Sequence, residues 1–534
     1  MAATRVTIAK ANLGTLTLTG ASTAVQNLLI TGGAVVLDAT LGGSLNATTG
    51  FQIGSGSFTL LGASGGTTQT FTGTTFTGGG TILVDGGTAN AVTTLNLASN
   101  GTNSTTTGNA GSSVNLTTAR GGTIITASAN ANGLVGGGHA IYNGNDFATK
   151  LGNAAIGTNG TIGAVTTTAL PATGGSSTTN YLATNSLTQT GSVTPNSLKI
   201  TTTQDGQSLA QAGNSLLVTS GGILFTGANG YSIDGGTVTV NSGSTATDLV
   251  IHQYGAGTLT VSSAVVNSAA AGAITSVTKA GPGILQLTGA NTYTGVTNVN
   301  NGTLVSRAAG LNSAAGGMFV SNTGTVFAPA AGTVLTPGAT TAGTAIANTA
   351  AVITVNNGAT LAPAGVGTIG MLTLNGANTT ARFFNVNVGS RFAFDLGAGN
   401  TSDNITFTNY NPGTGATTND FVLGRINTLL NGVQGGTFFD FTGARAGTYT
   451  LFSFFSDNGT TAVTSNLNSS YFDLINSTGL NGFTSSLAFN TGSITLTLTA
   501  VPEPSTWASG ALMAAGGLAT WSRARRRRKE DAAA

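Results

Sequence analysis

Cysteine is absent from this chain of 534 residues, which excludes disulfide bonds, thiolate metal sites and cysteine catalysis. Ionisable side chains are also scarce: Asp, Glu, Lys and Arg together make up 6% of the residues, and there are two histidines. Both glutamates, Glu503 and Glu530, lie near the C-terminus. Acid-base catalysis needs such side chains in matched positions, so this composition counts against an enzyme.

The net charge of +2 belongs to the C-terminal end. Six of the 17 Lys and Arg residues and three of the 15 Asp and Glu residues follow Val501, which leaves 11 basic and 12 acidic residues before it. Residues 1–500, called the body below, are therefore close to neutral. Because nucleic-acid binding depends on clustered positive charge, we expect no nucleic-acid partner.

The body is rich in glycine, threonine, alanine, asparagine, serine, leucine and valine, with 82 glycines in the whole chain. Glycine, threonine and asparagine disfavour long helices, whereas threonine and valine favour strands. Glycine and asparagine also form tight turns. The composition therefore predicts an all-β protein of many short strands. The segment Met1 to Gly20 alternates like a strand and contains no signal peptide, so we expect an upstream segment.

The C-terminus contains three adjacent elements. Pro502, Glu503 and Pro504 come first, an apolar run from Trp507 to Trp521 follows, and a basic cluster ends the series. That cluster consists of Arg523, Arg525, Arg526, Arg527, Arg528 and Lys529. Basic residues do not cross a bilayer readily, so we expect them to stay cytoplasmic while the body is exported.

This order of elements resembles the PEP-CTERM sorting signal of Gram-negative bacteria. The resemblance implies recognition by an exosortase-type membrane enzyme near Pro502, Glu503 and Pro504, followed by removal of the tail. A helix from Trp507 to Trp521 would span about 22 Å, short of about 30 Å of hydrocarbon. We expect one short C-terminal transmembrane helix, with tryptophans at its ends, that enters the inner membrane transiently or is retained there. Taken separately, the basic tail could instead bind anionic lipid or nucleic acid, and the apolar run could be a core helix.

The clearest internal repeat runs from Lys279 to Val305 and reads KAGPGILQLTGANTYTGVTNVNNGTLV. Its turn residues divide it into three short strands. The first contains Ile284, Leu285 and Leu287 and ends at Gly289, the second is marked by Val296 and Val299, and the third includes Leu304 after an Asn-Asn-Gly turn. The segment resembles the autotransporter-associated β-strand repeat. Weaker echoes occur at 14–20, 257–261, 370–377 and 492–499.

Three short strands cannot bury one apolar stripe by themselves, so stacked copies are needed. We predict a parallel β-helix, or β-solenoid, of degenerate repeats over 1–380. At roughly 20 to 27 residues per coil, about 18 to 23 coils would form a rod of about 85–110 Å. The region 381–500 is rich in phenylalanine and is interpreted as a terminal β cap or sandwich-like region. Residues 501–530 are assigned to the sorting signal.

The two histidines are the first candidates for chemistry. His139 follows three glycines in a loop-like tract without a nucleophile motif, and we expect it to be solvated. His252 alternates with Leu249 and Ile251, which predicts an outward-facing surface position. No metal-ligand spacing involves either histidine, and no cofactor site is predicted.

Paired carboxylates would be needed for glycoside hydrolysis, and in the body only aspartates could supply them. Asp395 and Asp403 are the nearest such pair in the sequence, although Asp403 and Asn404 are typical of a turn before a strand. No calcium-binding loop with known spacing is present. We therefore assign no catalytic, cofactor or metal residue.

The leading hypothesis is an exported, non-enzymatic structural protein of the cell surface or extracellular matrix, with adhesion or exopolysaccharide association as its role. Its expected partners are the exosortase-type enzyme, the inner membrane and exopolysaccharide. The alternative is a polysaccharide-degrading enzyme, because β-helices also carry lyases and hydrolases. An autotransporter passenger is a third class, although the last predicted strand runs directly into the C-terminal signal.

Overall fold

We describe the fold from a computed structural model. It describes residues 6–11, 14–98, 106–152, 157–240, 247–269, 274–306, 318–320, 326–329, 334–335, 353–355, 359–363, 369–375, 384–386, 390–408, 421–423, 437–457, 459–465 and 467–501. Within these ranges the chain is built of short strands that pair mainly in parallel. The helices there are four three-residue 3-10 turns, Ala39–Leu41, Gly137–His139, Ala398–Asn400 and Ser469–Tyr471.

The first stack of coils comprises eighteen strands. They are β1 Val6–Lys10, β2 Thr15–Leu18, β3 Ala21–Ser22, β4 Val25–Ile30, β5 Ala34–Asp38, β6 Ser44–Leu45, β7 Gly50–Ile53, β8 Gly56–Leu61, β9 Thr67–Thr70, β10 Thr74–Phe76, β11 Gly79–Asp85, β12 Thr93–Asn96, β13 Thr106–Gly108, β14 Ser113–Ala119, β15 Gly122–Thr126, β16 Ala140–Tyr142, β17 Asp146–Lys150 and β18 Gly160–Ala164.

Each coil of the first stack contributes one strand to each face. Strands β1, β4, β7, β10 and β13 form one parallel face, and β2, β5, β8, β11 and β14 form the next. The third face contains β9, β12 and β15, with the short pair β3 and β6 beside it. The antiparallel strands β16, β17 and β18 then join β14 to β15 and close the end of this stack. A closed end leaves no free edge there for another chain to pair with.

The second stack comprises the remaining strands of the described residues. They are β19 Thr168–Ala169, β20 Asn180–Ala183, β21 Leu187–Thr188, β22 Ser197–Ile200, β23 Gln207–Ala210, β24 Ser215–Val218, β25 Gly222–Phe225, β26 Tyr231–Asp234, β27 Thr237–Val240, β28 Thr247–Gln253, β29 Leu259–Val261, β30 Ala264–Val265, β31 Thr275–Ala280, β32 Ile284–Leu287, β33 Thr297–Val299, β34 Thr303–Ser306, β35 Met318–Val320, β36 Val326–Pro329, β37 Val334–Leu335, β38 Ile353–Val355, β39 Thr360–Leu361, β40 Met371–Asn375, β41 Phe384–Val386, β42 Arg391–Asp395, β43 Asn404–Thr408, β44 Phe421–Leu423, β45 Thr437–Thr442, β46 Gly447–Phe454, β47 Phe472–Thr478, β48 Phe483–Asn490 and β49 Ser493–Ala500.

Two sheets of eleven strands form the long faces of the second stack. One begins with β19 and ends with β44, and the other begins with β21 and ends with β47. A third face holds β24, β27 and β30, and further along β37, β40, β43 and β46. The antiparallel strands β49 and β48 extend this last sheet. The three predicted strands of the Lys279 to Val305 repeat are present as β32, β33 and β34, although β32 ends at Leu287 and not at Gly289.

Stacked apolar side chains fill the interior of each stack. In the first stack these include Phe51, Phe58 and Phe71, whose rings lie 4.7–5.8 Å apart. In the last coils of the second stack the interior becomes aromatic, with Phe392, Phe439 and their neighbours in mutual contact. Such ladders bury large apolar areas, which stabilises repeated coils that have no disulfides.

The all-β, β-helix-like component of the predicted fold class is confirmed, but the prediction of a short C-terminal transmembrane helix was wrong. No helix in the described residues is long and apolar enough to span a membrane. A three-residue 3-10 turn rises only about 6 Å, against about 30 Å of hydrocarbon. The run from Trp507 to Trp521, to which the prediction referred, lies outside the described residues.

Candidate functional site

The residues of the predicted sorting signal all lie outside the described residues. They are Pro502, Glu503, Pro504, Trp507, Trp521, Arg523, Arg525, Arg526, Arg527, Arg528 and Lys529. Three features within the described residues carry polar chemistry: the contact between the two stacks, the carboxyl pair near residue 400, and a groove on the last coils.

The two stacks contact each other along a line that we call the seam. One side is formed by Gly79, Gly111, Gly138 and strands β16 and β17, and the other by the outward faces of β25, β28, β31 and β33. Glycine allows this close approach, since a Cβ at Gly138 would lie 2.5 Å from the backbone nitrogen of Gly222. All six residues of β31 are buried, because one face lines the interior and the other meets the first stack.

His252 lies in the seam. Its Nε2 donates to the carbonyl oxygen of Gly138 at 2.8 Å, and its ring meets the edge of Phe147 at 6.1 Å between centroids. The predicted alternation was correct, since Leu249 and Ile251 point inward. The predicted surface position was wrong, because His252 is 0% exposed. The first stack covers this face, which alternation within one strand cannot reveal.

His139 belongs to the same region although it is distant in sequence. It is half-buried, not fully solvated as predicted, and its Nδ1 lies 2.9 Å from the carbonyl oxygen of Ser112. Burial lowers the pKa of His252 to about 4, although its hydrogen bond to Gly138 opposes this shift. His252 is therefore neutral near pH 7. A buried imidazole that donates to a backbone carbonyl holds the stacks together and offers no surface to a substrate.

Asp248 and Asn300 hold the peptide of Gly111 from the opposite stack. The Asp248 Oδ2 accepts from the Gly111 N–H at 2.8 Å and from Thr278 Oγ1 at 2.7 Å. Asn300 Nδ2 donates to the Gly111 carbonyl oxygen at 2.9 Å and to Ser113 Oγ at 3.0 Å. Burial raises the pKa of the Asp248 carboxyl, while His139 and the hydrogen bonds from Thr278 and Gly111 oppose the shift. The seam is thus a specific, hydrogen-bonded interface.

The sequence analysis did not predict a structural role for Lys279, which it named only as the first residue of the repeat. It shares a ladder position with Ile251 and Val299, both of which line the core, so its side chain points into the second stack. Its Nζ donates to the carbonyl oxygens of Ala280, Gly281 and Asn301 at 2.6–3.0 Å. Burial lowers the pKa of this ammonium group to about 7.

Asp395 and Asp403 are brought close together, as a catalytic pair would require, but their oxygens are already engaged. Asp403 accepts from the Gly370 N–H at 2.7 Å and from the Asp395 N–H at 2.9 Å, one bond to each oxygen. Asp395 Oδ1 accepts from the Thr442 hydroxyl. Burial raises the pKa of Asp403 to about 7. With exposures of 6% and 1%, these carboxyls fix a turn and do not face a substrate cleft.

No group of three or more His, Asp or Glu side chains in the described residues is arranged to hold a metal ion. The remaining feature is a groove of about 580 Å³ on the outward face of β40, β43 and β46. Its lining includes Met371, Thr373, Asn404, Thr406, Ser453 and Phe455. Sequence reasoning did not find it, because it depends on which coils lie side by side and on the loop after β46.

The comparisons with known proteins identify one segment. A family described as passenger-associated-transport-repeat matches residues 277–305. The comparison with curated proteins gave no significant match. The match confirms the predicted autotransporter-associated repeat. The matched segment includes Lys279, which bonds to carbonyl oxygens between strands, and Asn300, which lies in the seam. This repeat indicates a passenger-like protein that is exported or displayed at the surface.

Proposed function

We propose that this chain is a structural protein of the cell surface or extracellular matrix that associates with exopolysaccharide or mediates adhesion. The observation that carries the proposal is the passenger-type repeat at 277–305, built into a two-stack β-helix. Such a scaffold holds its outer side chains in regular rows along parallel strands. The proposed role involves no catalysis.

The outer faces support weak, repeated contacts with sugars. Threonine, serine and asparagine occupy outward positions, and ion pairs are sparse among the described residues. Many weak hydroxyl and amide contacts along a rigid scaffold add up by multivalency. A near-neutral surface also avoids strong nonspecific binding to charged polymers.

The proposal includes sorting at the C-terminus. An exosortase-type enzyme of the inner membrane would recognise Pro502, Glu503 and Pro504, and the basic cluster from Arg523 to Lys529 would keep the end of the chain on the cytoplasmic side before processing. The support is the order of these elements in the sequence.

The test is to express the gene with its upstream region in its native host and to determine the C-terminus of surface-associated protein by intact-mass spectrometry. We expect surface protein that ends near Pro502 to Pro504. Replacement of Pro502, Glu503 and Pro504 by alanines should abolish display. Retention of the full arginine cluster on surface protein, or unchanged display of the alanine variant, would contradict the sorting proposal.

A separate assay tests whether the protein is non-enzymatic. The purified protein is incubated with pectin, alginate and the polysaccharide of the producing cell, and the release of reducing ends is measured. We expect no turnover above a buffer control. Release of reducing ends that increases with protein concentration would contradict the structural role and indicate a polysaccharide-degrading enzyme.

A further inference from the structure

The groove on the last coils has the composition of a sugar-binding site. It lies on the solvent face of β40, β43 and β46, where Leu372 and Leu374 point inward and Thr373 between them points out. A volume of about 580 Å³ is within the range of about 300–1,000 Å³ common for ligand sites. We propose that this groove binds a segment of neutral polysaccharide, an inference that rests on the proposed function and names its binding site.

The floor of the groove is held in place by its own hydrogen bonds. Asn404 Nδ2 donates to the Thr450 carbonyl oxygen at 3.1 Å and to Ser453 Oγ at 3.2 Å, and Asn404 Oδ1 accepts from Thr406 Oγ1 at 2.6 Å. The Ser402 hydroxyl donates to the same carbonyl oxygen at 2.8 Å. The hydroxyl and amide groups are therefore ordered before a ligand arrives, which lowers the entropy cost of binding.

One wall of the groove comes from the loop after β46. Asp457 fixes this loop, since its carboxylate accepts from the backbone N–H groups of Gly459, Thr460 and Thr461 and from both threonine hydroxyls. The hydroxyl and backbone N–H bonds from Thr460 and Thr461 lower the pKa of Asp457 far below its usual range. These local bonds hold the loop in a compact turn beside the strands.

Apolar surface completes the site. Phe455 is half-buried and Met371 is 45% exposed, and both line the groove beside the hydroxyl groups. Pyranose rings combine an apolar face of C–H groups with a polar rim of hydroxyls. An aromatic ring next to hydroxyl and amide groups matches both of these surfaces, as in other sites that place a few polar groups on an apolar wall.

Charge selects the class of polysaccharide. None of the residues that line the groove is ionisable at neutral pH. Asp395 and Asp403 lie buried behind the sheet, and the Asp457 carboxylate is used by its own loop. An anionic polysaccharide would find no cation in this lining to pair with its carboxylates, so a neutral chain is the better match.

The test measures binding of the full chain to pullulan, dextran and galactomannan as neutral probes and to alginate as an anionic probe, by isothermal titration calorimetry. We expect at least one neutral probe to bind more tightly than alginate. Phe455→Ala should weaken that binding about fivefold by removing the aromatic wall. Thr373→Trp, which fills the groove without disturbing the core, should abolish it.

Phe438→Ala is the matched control, because Phe438 is also a half-buried outward phenylalanine but packs under Arg391 on another face. It should bind like the unmodified chain. Absence of binding to every neutral probe, tighter binding of alginate, or unchanged binding by either groove variant would overturn the inference. Surface display in the native host is measured in parallel. A chain that is displayed but binds no neutral polysaccharide would overturn the groove as a binding site, whereas a chain that is not displayed would contradict the proposed function itself.

Discussion

Single buried polar side chains close the corners of the coils. Gln253 is 0% exposed, and its Nε2 donates to the Gly257 carbonyl oxygen within its own coil and to the Ile284 carbonyl oxygen of the next. Lys279 has the same role in the following coil. At a corner, where the chain turns from one face to the next, backbone carbonyl oxygens do not pair with a neighbouring strand. They still need hydrogen-bond donors, because an unpaired buried polar group is costly. Long polar side chains inside a solenoid are therefore structural.

The pKa of Lys279 predicts a specific dependence of stability on pH. Its pKa falls to about 7 in the folded chain from 10.5, so between these values the unfolded state binds the extra proton. The free energy of unfolding should then increase as pH rises from about 7 to 9.5, by roughly 2–4 kcal/mol from this group. Denaturant titrations at both pH values measure the change.

Lys279→Met should remove this increase, whereas Lys199→Met, which leaves Lys279 in place, should keep it. An equal increase in the Lys279→Met variant would assign the pH dependence to other groups.

Asp403 provides a second prediction at the residue scale. In Asp403→Asn, only one side-chain oxygen remains to accept from the two N–H groups of Gly370 and Asp395. One buried N–H would lose its acceptor, so the variant should lower the free energy of unfolding by about 1–3 kcal/mol. Denaturant unfolding measures this loss. The exposed Asp205→Asn is the control and should change stability little; equal stability of both variants would contradict a structural role for Asp403.

At the scale of elements, the strands of the seam differ from ordinary solenoid strands because both of their faces are covered. The outward side chains of β25 and β28 include Leu224 and His252, which meet Ile141 and Phe147 of the first stack. Covering both faces should protect these strands from solvent more than strands with one exposed face.

Gly138→Ala tests this arrangement. The new Cβ would lie 2.5 Å from the Gly222 nitrogen and would push the stacks apart. Hydrogen exchange followed by mass spectrometry should then be faster in β28 and β31 and unchanged in the interior strands of the first stack, such as β8. Gly65→Ala, where a Cβ meets nothing within 4 Å, is the control. Unchanged exchange in β28 would mean that the seam does not protect it.

At the scale of the whole molecule, the chain forms two stacks that run in opposite directions, not one rod. Gly79 of the first stack contacts Asn300 midway along the second, while Asn132 near the end of the first stack bonds to Asn196 early in the second. With about 4.8 Å between strands, a face of eleven strands measures about 50 Å, well short of the predicted rod. Side-by-side packing buries one face of each stack, which a single rod would leave in water.

Chemical cross-linking can check this packing directly. Asp146 of the first stack and Lys199 of the second form an ion pair, and their side chains are 19% and 13% exposed. A carbodiimide should join this carboxylate and amine without a spacer, and the linked peptides should be found by mass spectrometry after digestion. Lys199→Arg keeps the charge but removes the reactive amine, so it should abolish the link. Failure to detect the link in the unmodified chain would contradict the arrangement of the stacks.

The sequence by itself determined the local structure, because side-chain alternation and turn residues act within a few positions. It predicted the all-β class, the three strands between Ile284 and Val305, and the inward direction of Leu249 and Ile251. It could not reveal that His252 is buried, that Lys279 points inward at a corner, or that Asp403 accepts from two backbone N–H groups. These properties depend on residues far apart in the chain, as when Asp248 accepts from Gly111 across 137 positions. Only the tertiary structure decided them, because the stacking of coils and the meeting of two solenoids determine which outward faces lose contact with water.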